Sequence, residues 1–504
     1  MSASYESTSK STSKSTGSTQ GTGNARETSN PQETGDGTLL HAPQEKSASI
    51  GFRISLLIIA FIVRFAIGWS MSGSLDSDPD AYATLAKTWA QTGTYGLTDN
   101  AGVAHPTAYR PAMYPWILSW FVLSTNWKTW LILLHACLGA MTAYWTFAVG
   151  HRLQLGRFIS LLAMGFVLFD PILLRQSTLV MTETLATWFA MGIWWTYLLG
   201  LNTSRKRWGI WFATFWSVLG LLLGLACLSR PTSLMWAALW SGVELKRNAR
   251  GAVLLMLGCL LVLTPWWYRN SKVFHEGIWT TTHGGYTLLL ANNPVLLNHW
   301  QHSVSREWDE EAFHAWWQER SDGTQRSDGT QRSDGTQRSD GTQRSDGTQR
   351  SDGAQRELQR DRLANSLAMR SIKENPLGFL YGIGVRQLWF WAWWPSERQA
   401  GLGLRWAIGV WYGAITCAVI YGCWNLSRRW DSRVLGIALW NWMPALTMAI
   451  SLCAIHSVYW SNMRMRSPLI PLVSLLAAYG VQAICERYAP SYLKSLSKTH
   501  STPH

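Results

Sequence analysis

Long apolar runs, most of them followed by a short polar or basic break, set the pattern of this chain. Rich in Leu, Ile, Ala, Gly and Trp, they fall at Ile54–Met71, Lys128–Val149, Phe158–Leu174, Leu179–Leu201, Trp208–Leu228, Pro231–Val243, Ala252–Tyr268, Leu402–Trp424, Val434–Ile455 and Pro468–Cys485. A helix needs roughly 20 apolar residues to cross a bilayer, and several of these runs reach that length. The pattern predicts an all-α polytopic membrane protein of about ten transmembrane helices with two large extracytoplasmic loops.

Three polar stretches interrupt the pattern and bring the mean hydropathy down to -0.02. Residues 1–49 carry Ser, Thr, Gly, Gln and Lys with almost no large apolar side chain, so they read as a disordered cytoplasmic tail and not as a signal peptide. The first part of a transmembrane catalytic module follows over 50–320, with an extracytoplasmic loop at 72–126. Residues 321–356 are six tandem copies of Ser-Asp-Gly-Thr-Gln-Arg, the last with Ala354 in place of Thr. Each copy is neutral and polar, which predicts a disordered insert; one Asp per copy beside an Arg makes a poor calcium cage. Extracytoplasmic or interfacial helices are expected over 357–401, the C-terminal transmembrane helices over 402–488, and a cytoplasmic tail over 489–504. Phe379–Trp394 is apolar and aromatic but holds Arg386 at its middle, so it reads as a helix lying in the interface.

Charge then fixes the orientation. With the N-terminus in the cytoplasm, four clusters fall inside: His151, Arg152 and Arg157; Arg205, Lys206 and Arg207; Lys246, Arg247 and Arg250; and Arg428, Arg429 and Arg433. That is the positive-inside rule, and it places both termini in the cytoplasm of the cell (inner) membrane. It also accounts for the net charge of +14 without nucleic acid. The seven cysteines lie in or beside apolar runs with no C-x-x-C pair, which argues against zinc and disulfide frameworks.

The polar residues that break the pattern at the outer surface are the candidates for chemistry. Asp76, Asp78 and Asp80 follow the first span directly. They read either as a solvated loop start or as carboxylates held near a low-dielectric boundary for general-base work. A helix starting after Pro79 would put Asp78 at its N-cap and Asp80 in its first turn. Arg110 in Tyr109-Arg110-Pro111-Ala112-Met113-Tyr114 can snorkel or hold a phosphate. Glu183 opens a span at a depth where an acid is costly, hydrated at a helix start or functional. Arg230 sits at an outer turn, and Arg464 and Arg466 lie outside just before the last span, against the positive-inside bias.

In order along the chain stand Asp78-x-Asp80-Ala81-Tyr82, Thr92-Gly93-x-Tyr95-Gly96, Tyr109-Arg110-Pro111, Thr182-Glu183-Thr184, Leu228-Ser229-Arg230-Pro231, Pro265-Trp266-x-x-Arg269-Asn270, Gly284-Gly285-Tyr286, Asn292-Asn293-Pro294 and Arg464-Met465-Arg466-x-Pro468. This series resembles the GT-C glycosyltransferases, in particular the group of protein O-mannosyltransferases and the lipid A aminoarabinose transferase. It covers most of residues 54–486 outside the repeats. The resemblance implies a GT-C-like fold, a polyprenyl-phosphate sugar donor and an inverting transfer outside the cytoplasm. It places the catalytic carboxylate at Asp78, with Asp80 or Glu183 assisting. Arg110, Arg230, Arg464 and Arg466 are then expected at the donor phosphate, and Tyr82, Tyr109 and Tyr114 at the substrate. Ala112 stands where the family often has a second proline, and Pro79 separates acids that many members carry side by side.

The expected function is an integral-membrane glycosyltransferase, a hexosyl- or pentosyltransferase acting on an extracytoplasmic lipid, glycan or protein acceptor. Its partners are that acceptor, the lipid-linked sugar and membrane lipids. No cofactor is required on paper; a divalent metal stays open, and no metal ligands are assigned. A transporter or flippase of a lipid-linked or anionic substrate is the alternative, although no pair of broken helices in matching halves is visible. A ligase or polymerase of surface polysaccharide would share the donor.

Overall fold

The computed structural model describes residues 49–99, 101–201, 209–302, 309–330, 346–395, 400–428 and 432–488. Residues Met1–Glu45 lie outside the described residues, which all belong to the unit Lys46–His504. So do the expected cytoplasmic loop at Arg205–Arg207 and the expected tail after residue 488.

Helix α1 (Ile50–Ser70) runs into a 3-10 turn (Ser72–Asp76) and α2 (Tyr82–Thr92). The antiparallel ribbon β1 (Gly96–Thr98) and β2 (Ala104–Pro106) and then α3 (Met113–Ser119) complete the first loop, with Leu97 opposite His105. There follow α4 (Trp127–Arg152), α5 (Arg157–Leu168), α6 (Pro171–Ser177), α7 (Glu183–Gly200), α8 (Ile210–Ser229), α9 (Ser233–Arg247) and α10 (Ala249–Phe274). The second loop contains α11 (Gly284–Ala291), α12 (Pro294–His302), α13 (Glu310–Thr330), α14 (Asp346–Glu374) and α15 (Pro376–Phe390). The chain ends on α16 (Leu402–Arg428), α17 (Ser432–Val458), a 3-10 segment (Met463–Leu469) and α18 (Ile470–Tyr488).

The protein is an all-α polytopic membrane protein whose one described sheet is that short ribbon. Every apolar run carries a helix. Among the described residues six helical stretches are long and apolar enough to cross a bilayer, or seven if α5 and α6 form one bent span. The bend of 48° has a local cause: Pro171 cannot donate to the helix, and the Asp170 side chain caps the new one at Leu173 N (3.0 Å). At 15 residues α9 is only about 22 Å long, short for a crossing.

Membrane helices gain little from hiding apolar surface from lipid, so close van der Waals contact must hold them. Helices α8 and α10 meet at Gly220 and Gly258, where a side chain on Gly220 would lie 2.3 Å from the Leu255 carbonyl. On α1 the opposite holds: Ile54, Ile58, Ile59 and Ile62 are each more than half exposed, a face suited to lipid. Arg386 on α15 is 1 % exposed and turned inward, donating to the carbonyls of Ser457 (2.7 Å) and Ala291 (2.8 Å). Leu377, Leu380 and Leu388 remain exposed on that helix.

Several loop motifs are ties. Arg269 donates to the carbonyls of Tyr95 (2.6 Å) and Thr107 (2.7 Å), fastening the first loop to the end of α10. Glu357 on α14 accepts from the Thr107 hydroxyl (2.6 Å), Ala108 N (3.1 Å) and the Thr282 hydroxyl, joining three segments.

The repeat insert differs from expectation at both ends: residues 321–330 continue α13, with Ser321 buried, and α14 begins at Asp346. The last copy, Ser351–Arg356, lies within α14, and Ala354 is 1 % exposed against Leu85, Tyr95, Trp266, Phe274 and Leu358. The single departure from the repeat, Ala for Thr, thus stands where a hydroxyl would be buried without a partner. The expected disorder of residues 331–345 lies outside the described residues. Deleting Ser327–Arg350 is therefore expected to leave membrane abundance and activity within a few-fold. A deletion from Ser321 through Arg356 is expected to lower both more strongly, because it removes Ala354 from the core. Equal outcomes for the two deletions, read by immunoblot and activity, would contradict this division.

Candidate functional site

The first loop folds around Asp78. Its carboxylate accepts from Ala83 N (3.2 Å), Thr84 N (2.9 Å) and the Thr84 hydroxyl (2.9 Å), so it caps α2 from outside the helix. The helix begins later than the position after Pro79. A turn closes from Ala81 N to the Asp78 carbonyl (3.1 Å), and Ala81 takes a left-handed conformation at φ 59°. Asp80 is consequently not in a helical turn. It lies in the bend, where its carboxylate reaches Arg110.

That pair is the edge of a larger cluster. Arg110 donates to the Asp80 carboxylate at 2.6 Å, to the Asp80 carbonyl at 3.2 Å and to the Tyr109 hydroxyl at 3.1 Å. Arg464 lies between two acids, 3.9 Å from Asp80 and 3.7 Å from Glu183, and Arg230 is 3.6 Å from Glu183. The parts come from the loop after α1, the start of α7, the end of α8 and the segment before α18, so four element ends converge. Glu183 is 3 % exposed, a burial tolerable only because two guanidiniums flank it.

Hydrogen-bonding capacity is left unspent there. Glu183 Oε2, Arg230 Nη1 and Arg464 Nε are buried without a hydrogen-bond partner, although the ion pairs remain. The other contacts of these arginines are weak: Arg230 Nη2 meets Met465 Sδ at 2.9 Å and Arg464 Nη1 meets Met181 Sδ at 3.8 Å. A thioether is a poor acceptor, so both guanidiniums can take a better one. Three guanidiniums against the carboxylates of Asp80 and Glu183 leave one positive charge over.

Not every expected residue joins this cluster. Arg466 turns the other way: it donates to the Phe390 carbonyl (2.9 Å) and stacks on Tyr412, whose hydroxyl bonds both oxygens of buried Asp170. Two residues apart in a 3-10 segment, Arg464 and Arg466 point to different sides. Arg466 therefore anchors the segment that presents Arg464. Tyr114 is 1 % exposed and donates to His135 Nε2 (3.0 Å), whose Nδ1 in turn donates to the Ser177 carbonyl, which leaves no face toward a substrate. Tyr82 packs edge-on against Tyr114, and burial pushes its hydroxyl up to about 12. Tyr109 is part-exposed and carries Arg110 over its ring at 4.3 Å.

Two histidines escaped the sequence reading because only tertiary contacts mark them. His456 donates from Nδ1 to the Trp460 carbonyl (2.9 Å), stacks on Phe390 and leaves Nε2 buried and unpartnered, within electrostatic reach of Arg230. His283 packs against Tyr109 (4.6 Å) and Tyr286 (5.0 Å). Burial, aided by the charge of Arg110, pushes its pKa down from 6.5 to about 3. Between those values the unfolded chain binds a proton that the folded chain does not, so stability falls as the pH drops through that window. His283→Phe keeps the ring and removes the titration. The variant is expected to lose less thermal stability than the parent between about pH 7 and about pH 4, and equal losses would contradict it. Among the described residues no group of three His, Cys, Asp or Glu side chains converges as metal ligands.

No family model matches the chain, and no curated protein matches it. Solved structures do. One is the archaeal oligosaccharyltransferase AglB from Archaeoglobus fulgidus, in complex with an inhibitory peptide and a dolichol-phosphate. The TM-score is 0.48 at 12% identity, covering 90% of this chain and 52% of that one. The chain thus spans about half the length of that protein. Another is ArnT from Cupriavidus metallidurans bound to undecaprenyl phosphate, with a TM-score of 0.37 at 14% identity over 86% of this chain and 78% of that one.

Proposed function

We propose that this protein is an integral-membrane glycosyltransferase that moves a sugar from a polyprenyl-phosphate donor to an acceptor hydroxyl on the extracytoplasmic face, with inversion. The observation that carries the reading is the bridge made by Arg464 between Asp80 and Glu183, with Arg110 and Arg230 alongside and buried donor atoms unspent. Three guanidiniums fixed at a membrane-edge cluster suit a phosphodiester, which carries one negative charge. As the glycosidic bond to phosphate breaks, a second negative charge grows on that phosphate. Guanidiniums already fixed in place stabilise it without reorganising.

The carboxylates divide the work. Asp80 and Glu183 are held by guanidiniums, so their oxygens are directed at fixed cations. Asp78 has no ion pair among the described residues and accepts only from neutral donors. Asp78 therefore takes the proton of the acceptor hydroxyl. The freed oxygen bonds to the anomeric carbon from the face opposite the phosphate, the anomeric carbon–oxygen bond to phosphate breaks, and the lipid phosphate leaves as a monoester. Asp80 orients Arg110, and Glu183 orients Arg230 and Arg464. The lipid tail of the donor gives the reason for the site's position at the ends of apolar helices. The protein belongs, on this reading, in the cell (inner) membrane with both termini in the cytoplasm. Mass spectrometry of lipid, glycan and protein extracts from cells with and without the gene tests it. Loss of one sugar decoration supports the reading, and unchanged extracts contradict it.

A further inference from the structure

Beside the cluster, a cleft of about 1010 Å³ opens between the first loop, the segment before α11, α13 and α14. Its walls include Tyr109, His283, Tyr286, Glu357, Arg360 and Asp361. Nothing in the proposed donor chemistry uses it. Resting on the glycosyltransferase reading, we propose that this cleft is the acceptor site and that the acceptor is a carbohydrate chain of several residues.

The lining carries the choice of class. Each ring of a sugar offers an apolar carbon–hydrogen face and a rim of hydroxyls that both donate and accept. Tyr109, His283 and Tyr286 are part-exposed and touch in series, a row of ring surfaces. Around them stand an acceptor on Asp361 and a donor on Arg360, with Glu357 holding the wall together. An acyl chain would strip water from these polar groups with nothing in return. An extended peptide would add to a strand edge, and the ribbon offers only three residues a strand, one strand ending on Pro106, which has no N–H to donate. The volume lies at the upper end of the range for small-molecule sites, which leaves room for more than one sugar ring.

The cleft is built for permanence. Asp361 accepts from the backbone N–H of Tyr286 (3.2 Å), fixing the start of α11. A side chain on Gly285 would come within 2.1 Å of the Asp361 carbonyl, so only glycine lets α11 and α14 meet there and set Tyr286 in the wall. At the inner end, Tyr109 accepts a hydrogen bond from Arg110, which joins the cleft wall to the acid and arginine cluster.

The test uses the full chain in nanodiscs, with lipid-phosphate sugars extracted from host membranes grown on radiolabelled glucose. Polysaccharide, lipid and protein fractions of the host are offered as separate acceptors. Label is expected in the polysaccharide fraction. Tyr286→Ala should raise the half-saturating polysaccharide concentration about tenfold while kcat and the donor requirement stay within twofold, and Tyr286→Phe should restore it. Label in the lipid or protein fraction overturns the carbohydrate proposal and leaves the transferase reading standing. So does label in polysaccharide with acceptor use by a folded Tyr286→Ala protein unchanged. Label in no fraction overturns both. If Tyr286→Ala does not fold, Arg360→Ala takes its place, with the same expected split.

Discussion

Asp78→Asn is expected to lower transfer by about two to four orders of magnitude, the usual contribution of a general base. The substitution keeps size and still offers an oxygen to the Thr84 N–H, so α2 retains much of its cap and the protein should reach the membrane at parental abundance. What it removes is the capacity to take a proton. Asp80→Asn and Glu183→Gln are expected to be milder in kcat and to act on the donor, because each releases an arginine from its place. The three variants must be assayed at equal membrane abundance. Near-normal transfer by Asp78→Asn with a collapse in Asp80→Asn would move the base to Asp80. Normal transfer in all three would remove the mechanism.

The second large effect separates two arginines that the sequence presents as equivalent. Arg464→Ala should raise the donor concentration needed for half-maximal rate by roughly ten- to a hundredfold, the loss of one charged hydrogen-bonding partner. Arg464→Lys should recover part of it, since an ammonium supplies charge without the planar fork. Arg466→Ala should behave differently. Arg466 contacts the Phe390 carbonyl and the Tyr412 ring, so its loss should lower membrane abundance while the folded fraction keeps the donor requirement within a few-fold. Equal donor defects in both, at equal abundance, would return Arg466 to the phosphate site.

Apolar runs mark helices because lipid leaves the backbone no other way to satisfy its hydrogen bonds. Breaks were harder to see: the run Phe158–Leu174 reads as one span, yet Asp170-Pro171 splits it. Asp78 as a capping residue was legible only in kind: the sequence puts it at the N-cap of a helix starting after Pro79, whereas the helix starts at Tyr82 and the partners of Asp78 lie five and six residues on. Glu183, Arg230 and Arg464 were legible because each carries charge at a depth that disfavours it. Their meeting was not, since it depends on four element ends coming together. Arg466 carried the same signal for a different reason, as the partner of a buried Tyr412 and Asp170 far away in sequence. The place of His283, His456 and Glu357 is set wholly by contacts across the fold. Ala354, read in the sequence as part of a disordered insert, stands in the core, where its difference from the repeated Thr has a packing reason.

The proposed reaction requires that a bond between sugar and lipid phosphate breaks in this protein. It is tested most directly by incubating the purified full chain in nanodiscs with lipid-phosphate sugar and acceptor, and quantifying both products by mass spectrometry. The account predicts free polyprenyl phosphate in equal amount to glycosylated acceptor, with both nearly abolished in Asp78→Asn. Lipid-phosphate sugar that stays intact, and in sealed vesicles merely appears on the opposite leaflet, would contradict it and make the protein a flippase.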